Sequence, residues 1–258
     1  MLEQQMMWSI VIYIVNSSVL FFGFFFLFRA FLWVTVETLW HARTVRYRQI
    51  ATRDFGAEIF HVFLVIPIVI YLYDRVFVYH PFLQMMQNLP MLLRIAIYLL
   101  IGDLGYYWVH RLMHTKALWR THKWHHSPTY MYWLAGCRAT VPQQFLVGAP
   151  YVLVAPILYP SPWWVYTALV IFSYLTVDWM HLNVTWGSKW LEWVVVTPRY
   201  HHIHHSSNPD HYELNLGNNF TFWDRLFGTY LDPDSFDRKQ LAFGIGEKPN
   251  PVRLIAGV

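Results

Sequence analysis

The stretch PMLLRIAIYLLIGDLGYYWVHRLMH, Pro90–His114, joins an apolar run to the pair His110-Arg-Leu-Met-His114. Residues 90–111 have the length needed to cross a bilayer, about 20 residues as a helix. Asp103, Tyr107, His110 and His114 follow one another at intervals of four, three and four. On a helix that spacing makes one stripe. Asp103 then lies about two turns deeper in the membrane than His110. A carboxylate at that depth is costly and marks function or a partner. Metal-bound imidazoles commonly donate their second N–H to a carboxylate, so Asp103 is expected to hold a ligand histidine or to pair with an arginine. Asp178, three residues before His181, is expected to act in the same way.

Composition agrees with a membrane protein. The 258 residues are 56% hydrophobic and 19% aromatic, and only 13% are charged, against about 25% charged in soluble domains. Mean hydropathy is positive, +0.28. Further apolar segments fall at roughly 9–36, 59–80, 141–159 and 163–182. The expected fold is therefore all-α: a multi-pass helical bundle of about four to five membrane segments in one domain, residues 1–258. The first segment reads as a retained span, because it is too long for a signal-peptide core and lacks a basic start. Tyr159-Pro-Ser-Pro162 is a turn signal that makes the last two segments a hairpin, either crossing or dipping into the membrane. The net charge of +4 is scattered, with no basic stripe for nucleic acid, and the single Cys137 excludes an internal disulfide.

Charge sets the orientation. With the loop after the first segment inside, the inner side holds Arg43, Arg46, Arg48, Arg53, Arg111, Lys116, Arg120, Lys123, Arg138 and all seven Lys and Arg after residue 182. The outer side holds Arg75 and Arg94. The positive-inside rule then puts the N-terminus outside and the C-terminus in the cytoplasm. The same topology gathers His110, His114, His122, His125, His126, His181, His201, His204 and His205 at the cytoplasmic face, as a histidine-rich helical cap.

Nine imidazoles exceed what one ion needs and suffice for two. Imidazole is the commonest transition-metal ligand, and the HxxxH and HxxHH spacings place rings on one helical face. His202 occupies a spacer position and points elsewhere. His41, His61, His80 and His211 are isolated and expected to be interfacial or solvated. None of the clusters contains HExxH or a Glu-x-x-His pair, so zinc-protease and soluble ferritin-like chemistry do not fit. All-imidazole ligation suits Fe, Zn, Cu or Ni. A redox-active pair could split O2 and oxidise an unactivated C–H bond of a lipid.

The clusters HRLMH, HKWHH and PRYHHIHHS, in this order, resemble those of the sterol desaturase/fatty acid hydroxylase superfamily of membrane di-iron enzymes. Asn208-Pro209, Asn215-Leu-Gly217 and Trp223-Asp-Arg-Leu-Phe-Gly-Thr-Tyr230 are similar to that family's closing signature. The resemblance covers roughly residues 95–232. It implies two iron ions held by His110, His114, His122, His125, His126, His201, His204 and His205, with His181 matching a further family histidine and Asn183 a ligand or a water-holding neighbour. No catalytic residue separate from the metal centre is implied. It also implies O2-dependent hydroxylation or desaturation of a lipid such as a sterol or fatty acyl chain. Electrons would come from a separate protein, a b-type cytochrome or a ferredoxin with its reductase. The membrane would be a bacterial inner membrane or the endoplasmic reticulum.

Asp224 is expected to pack the tail onto the histidine helices by holding Arg225 or a backbone N–H. Arg138 and Arg199 flank the clusters as head-group ligands or, more simply, as snorkelling cations. Two other function classes use the same residues: a histidine-lined metal transporter and a catalytically silent lipid-binding protein. A transporter would place ligands near the bilayer midplane, whereas these gather at one face.

Overall fold

The structure, a computed structural model, describes residues 18–42, 47–76, 86–235, 241–246 and 251–256. The beginning of the expected first segment, the end of the second, Arg43, Arg46 and His80 lie outside the described residues. The order is α1 (Ser18–Trp40), α2 (Tyr47–Phe60), a π-helical turn (His61–Val65), α3 (Ile66–Val76), α4 (Met91–Met113), α5 (Trp119–His122), α6 (Val141–Val154), α7 (Trp163–His181), α8 (Pro198–His204), α9 (Phe222–Leu226) and α10 (Pro251–Ala256). Among the described residues, β structure is limited to the isolated bridges Val195–Phe220 and Ser206–Phe243.

Local sequence explains the helix starts. Pro90 precedes α4. Thr140 accepts the Gln143 N–H at the head of α6, and Thr197 accepts the Tyr200 N–H at the head of α8. A side-chain oxygen at that position satisfies a donor the helix leaves unpaired. Each of these two helices also carries proline in its first turn, where its missing N–H costs nothing.

Four helical stretches are long and apolar enough to cross a membrane: Gly23–Trp40, Arg53–Val76, Met91–Met113 and Val141–Leu158. The fifth expected segment forms the 19-residue α7 but is not among them; its Trp, Tyr, Ser and Thr residues and Asp178 lower its apolarity.

Contacts along the helices fix their directions. Arg94 donates to the Leu158 carbonyl, Gly102 faces Tyr151 and Gly105 faces Pro150. Numbers rise on α4 as they fall on α6, so the two are antiparallel. A Cβ on Gly105 would lie 2.6 Å from Pro150, so the close approach of the helices requires glycine there. Phe25 meets Tyr174 and Arg29 meets Asp178, while Glu37 accepts the Asn183 N–H; α1 and α7 run parallel. Asp54 pairs with Arg138, His61 with Gln144 and Tyr73 with Phe145, so α2 and α3 run parallel to α6. The C-terminal ends of α1, α4 and α7 and the N-terminal ends of α2 and α6 therefore share one end of the bundle.

Charged groups inside this apolar bundle have buried polar partners. Arg29 on α1 donates to both Asp178 oxygens at 2.6 Å and to Glu58 at 2.8 Å, and Trp33 donates to Asp178 at 2.8 Å. Removing one member of such a buried set strands the others. Arg94 is likewise a buried cap on the carbonyls of Leu158 and Pro160 rather than a loop charge.

Candidate metal centre

The shared end of the bundle brings nine histidines into two adjoining groups. His110, His114, His122, His126 and His204 form one; His125, His181, His201 and His205 form the other. Within each group every ring offers a nitrogen within 4.8 Å of the others, and all nine side chains are buried. His110 and His114 end α4, His122 ends α5, His125 and His126 lie in the turn after it, His181 closes α7, and α8 supplies His201 and His204 with His205 as its cap. The groups share a wall, with the His126 ring stacked on His205 at 4.3 Å and His122 on His125 at 4.9 Å. Among the described residues, no carboxylate belongs to either group.

Backbone carbonyls orient the rings. His110 Nδ1 meets the Leu216 carbonyl at 2.7 Å, His181 Nδ1 the Val177 carbonyl at 2.7 Å, and His204 Nδ1 the Leu214 carbonyl at 3.0 Å. A ring that donates from Nδ1 leaves a lone pair on Nε2. His110 Nε2 and His122 Nε2 approach to 3.0 Å, and His181 Nε2 and His205 Nε2 to 3.3 Å. Two nitrogens each about 2.1 Å from a shared ion are separated by roughly 3.0 Å at a right angle and somewhat more at wider angles. Meanwhile His114 Nδ1 and Nε2, His126 Nε2, His201 Nδ1 and Nε2 and His204 Nε2 are buried without a hydrogen-bond partner. Unpaired buried polar atoms are costly. A cation in each group would satisfy them.

Electrostatics favours the ligating form. Burial first, then neighbouring imidazoles, push His114, His122, His125, His126, His201 and His205 well below the ordinary histidine range. His204 is lowered by burial and by His110. Neutral imidazole is the species that binds metal. Trp119 and Tyr212 stack on each other at 5.6 Å, and both rings neighbour His126; they cover the five-histidine group.

A model of the family described as fatty acid hydroxylase matches residues 95–229, just over half the chain and every one of these histidines. The chain belongs to the fatty acid hydroxylase family. It thereby falls within the sterol desaturase/fatty acid hydroxylase superfamily. Similar proteins include alkylglycerol monooxygenase of Danio rerio, 35% identical over 52% of this chain and 29% of that protein. Ornithine lipid hydroxylase OlsE of Rhizobium tropici is 33% identical over 56% of this chain and 44% of its own length. Human lathosterol oxidase is 27% identical over 55% and 46%. The chain thus spans less than half the length of these relatives. No solved structure matches it.

Within this fatty acid hydroxylase core, Asp103 departs from the sequence expectation and, among the described residues, pairs with no arginine. Asp103 does not hold a histidine. Its oxygens accept the N–H groups of Asn219 (2.9 Å) and Phe220 (3.1 Å), the Asn219 amide (2.7 Å), the Trp223 indole (3.1 Å) and the Tyr151 hydroxyl (3.1 Å). Asp178 takes the second of its expected roles, pairing with Arg29 and accepting from Trp33, while the His181 ring is held by a carbonyl. The physical reason is shared: a carboxylate deep in an apolar bundle takes the strongest donors within reach. Asn183 is buried, and its backbone bonds to Glu37 and Ala42.

Asp224 reaches the centre indirectly. It accepts the Leu216 and Gly217 N–H groups at 2.7 and 2.8 Å, the Tyr200 hydroxyl at 2.8 Å and the Thr229 hydroxyl at 2.7 Å. Leu216 carries the carbonyl that holds His110, and Tyr200 precedes His201. The expected backbone-holding role is thus observed, whereas Arg225 bonds to the Glu192 carbonyl.

His202 falls outside both groups, with its ring against Phe243. His61 and His211 are buried rather than solvated; His211 Nδ1 meets the Ser206 hydroxyl at 2.7 Å. Arg138 and Arg199 do not reach for head groups. Both are buried, Arg138 on Asp54 and Arg199 on Glu192 and Asp234.

Proposed function

We propose that this chain oxidises a C–H bond of a membrane lipid, by hydroxylation in preference to desaturation, with two iron ions, O2 and electrons from a separate carrier such as a b-type cytochrome or a ferredoxin with its reductase. The two buried all-imidazole groups, side by side at the end of membrane-spanning helices, carry this reading. His110, His114, His122, His126 and His204 would hold one ion; His125, His181, His201 and His205 would hold the other. Five and four nitrogens leave room for oxygen on ions that accept up to six donors.

When bound, the iron pair supplies the redox chemistry, in which a C–H bond, O2, two electrons and two protons become an alcohol and water. The carbonyls of Leu216, Val177 and Leu214 hold the tautomers that aim Nε2 inward. Asp224 fixes the Leu216 loop and the Tyr200 end of α8. The rings of Trp119 and Tyr212 exclude water from the five-histidine side. α4, α6 and α7 bring these groups to the bilayer boundary, where a lipid can be reached without leaving its leaflet. Placing the site on the cytoplasmic face rests on the charge asymmetry of the loops.

The alkylglycerol monooxygenase and ornithine lipid hydroxylase, each above 30% identical to this chain, are both named for lipids; this supports hydroxylation. The position of both groups at one end of the spans gives no support to a transporter. Purified chain should hold two irons and consume O2 only with reductant and lipid. Lipid profiles of cells carrying the active chain should gain a hydroxylated species absent with His204→Ala. The proposal fails if the chain holds less than one metal and alanine at His125 or His204 changes neither metal content nor oxygenation.

A further inference from the structure

We propose that the turn Trp190–Val194 and the helix α9 form a re-entrant wedge whose outer face lies against acyl chains beside α4, below the histidine groups rather than in water above them. This rests on α4 spanning the membrane and not on the metal chemistry.

Depth is the first observation. Asp103 lies about 18 Å from the start of α4 and about 15 Å from its end, by helical rise. Four of its bonds come from Asn219, Phe220 and Trp223. The segment after the last histidine cluster therefore descends along α4 to its middle. The turn follows it down: Val196 N–H bonds to the Asn219 carbonyl at 3.1 Å, Thr221 N–H to Val194 at 3.1 Å, and the Thr221 hydroxyl to Glu192 at 2.8 Å.

The second observation is what faces outward. Trp190 is 86% exposed, Leu226 68% and Trp193 53%, with Leu191 and Val194 also exposed. This surface continues that of α4, where Trp108 and Leu112 are exposed and Trp108 packs on Phe227 at 4.8 Å. Contiguous apolar surface of this kind marks an interaction site.

The third is where the polar groups go. Non-helical backbone is tolerated at membrane depth only where protein satisfies it. Glu192, Thr221 and Asp224 are fully buried. Glu192 is held by Arg199 and Thr197. The Arg225 guanidinium is covered by the rings of Trp193 (4.3 Å) and Tyr230 (3.5 Å) and donates to the Glu192 carbonyl. Ring faces and a carbonyl shield its charge from hydrocarbon.

The test uses spin labels on the full chain in lipid vesicles, in a Cys137→Ala background. Single cysteines replace Trp193 or Leu226, with Ile101→Cys on α4 as a lipid-facing reference and Lys116→Cys as an aqueous one. Power saturation compares collisions with O2 and with a water-soluble nickel chelate. The wedge labels should match Ile101, with an O2-to-nickel ratio several-fold above that at Lys116. A ratio like that of Lys116 overturns the proposal, and so does shelter from both reagents, which would mean that protein covers the face. Photolabelling of the unmodified chain by a carbene reagent dissolved in the bilayer gives a check free of substitutions. Label on Trp190–Val194 and Leu226 at the level of α4 supports the wedge, and none there overturns it.

Discussion

Replacing Asp224 with asparagine probes how far the metal centre depends on a residue that touches no metal. Oδ1 takes Leu216 N–H and the Thr229 hydroxyl; Oδ2 takes Gly217 N–H and the Tyr200 hydroxyl. Asparagine offers one oxygen, so either orientation sets an NH2 against a backbone N–H and a hydroxyl, of which only the hydroxyl can turn to accept. Two hydrogen bonds to a charged group at about 1.5–3 kcal/mol each are lost. Relief from burying a carboxylate offsets part of that, leaving about 2–4 kcal/mol. For a chain of this length each kcal/mol lowers Tm by about 2–4 °C, so Asp224→Asn should melt about 4–16 °C lower. The Leu216 carbonyl that orients His110 moves with its loop, so iron should fall from two per chain towards one. Thermal unfolding in detergent and elemental analysis read the two effects. A variant that melts within 1 °C of the parent and keeps both irons would refute the assignment.

Two further outcomes follow from the geometry. A Cβ on Gly136 would lie 2.7 Å from both His181 Nδ1 and Val177 Cγ1. Gly136→Ala should therefore cost about 1–3 kcal/mol by overpacking and empty the four-histidine group selectively; metal titration showing both groups filled would contradict this. The rings of His114, His122, His125, His126, His201, His204 and His205 stay neutral when folded but take a proton near pH 6.5 when unfolded. Below that pH the unfolded state binds more protons, so metal-free protein should lose stability as pH falls, by up to about 1.4 kcal/mol per pH unit for each ring. Melting of chelator-treated protein from pH 7.5 to 5 tests this, and a flat profile would contradict it.

The helical spacings told which histidines gather, because rings three and four apart share a face. They did not tell how the rings divide. His125 and His126 are neighbours in sequence yet serve different groups, as do His204 and His205. Consecutive residues in a turn or helix point in different directions, and which group each joins depends on how α4, α7 and α8 pack. The depth of Asp103 was legible; its partners were not, since they come from backbone donors far along the chain. Arg29, Glu37 and Glu58 escaped notice although a charge within an apolar segment is itself a signal of a buried partner. The carbonyls of Leu214, Leu216 and Val177 carry no side-chain signature at all.

The burial of the nine rings bears on how a metal would reach them. They lie at or just beyond the ends of α4, α5, α7 and α8, separated by up to 95 positions in the chain, and none is more than 9% exposed. With so little ring surface open, a cation held there would exchange through movement of the elements that cover it. Exchange would then be tied to opening of the bundle end rather than to diffusion alone. Chelators should therefore act faster on protein that is unfolding than on the native form.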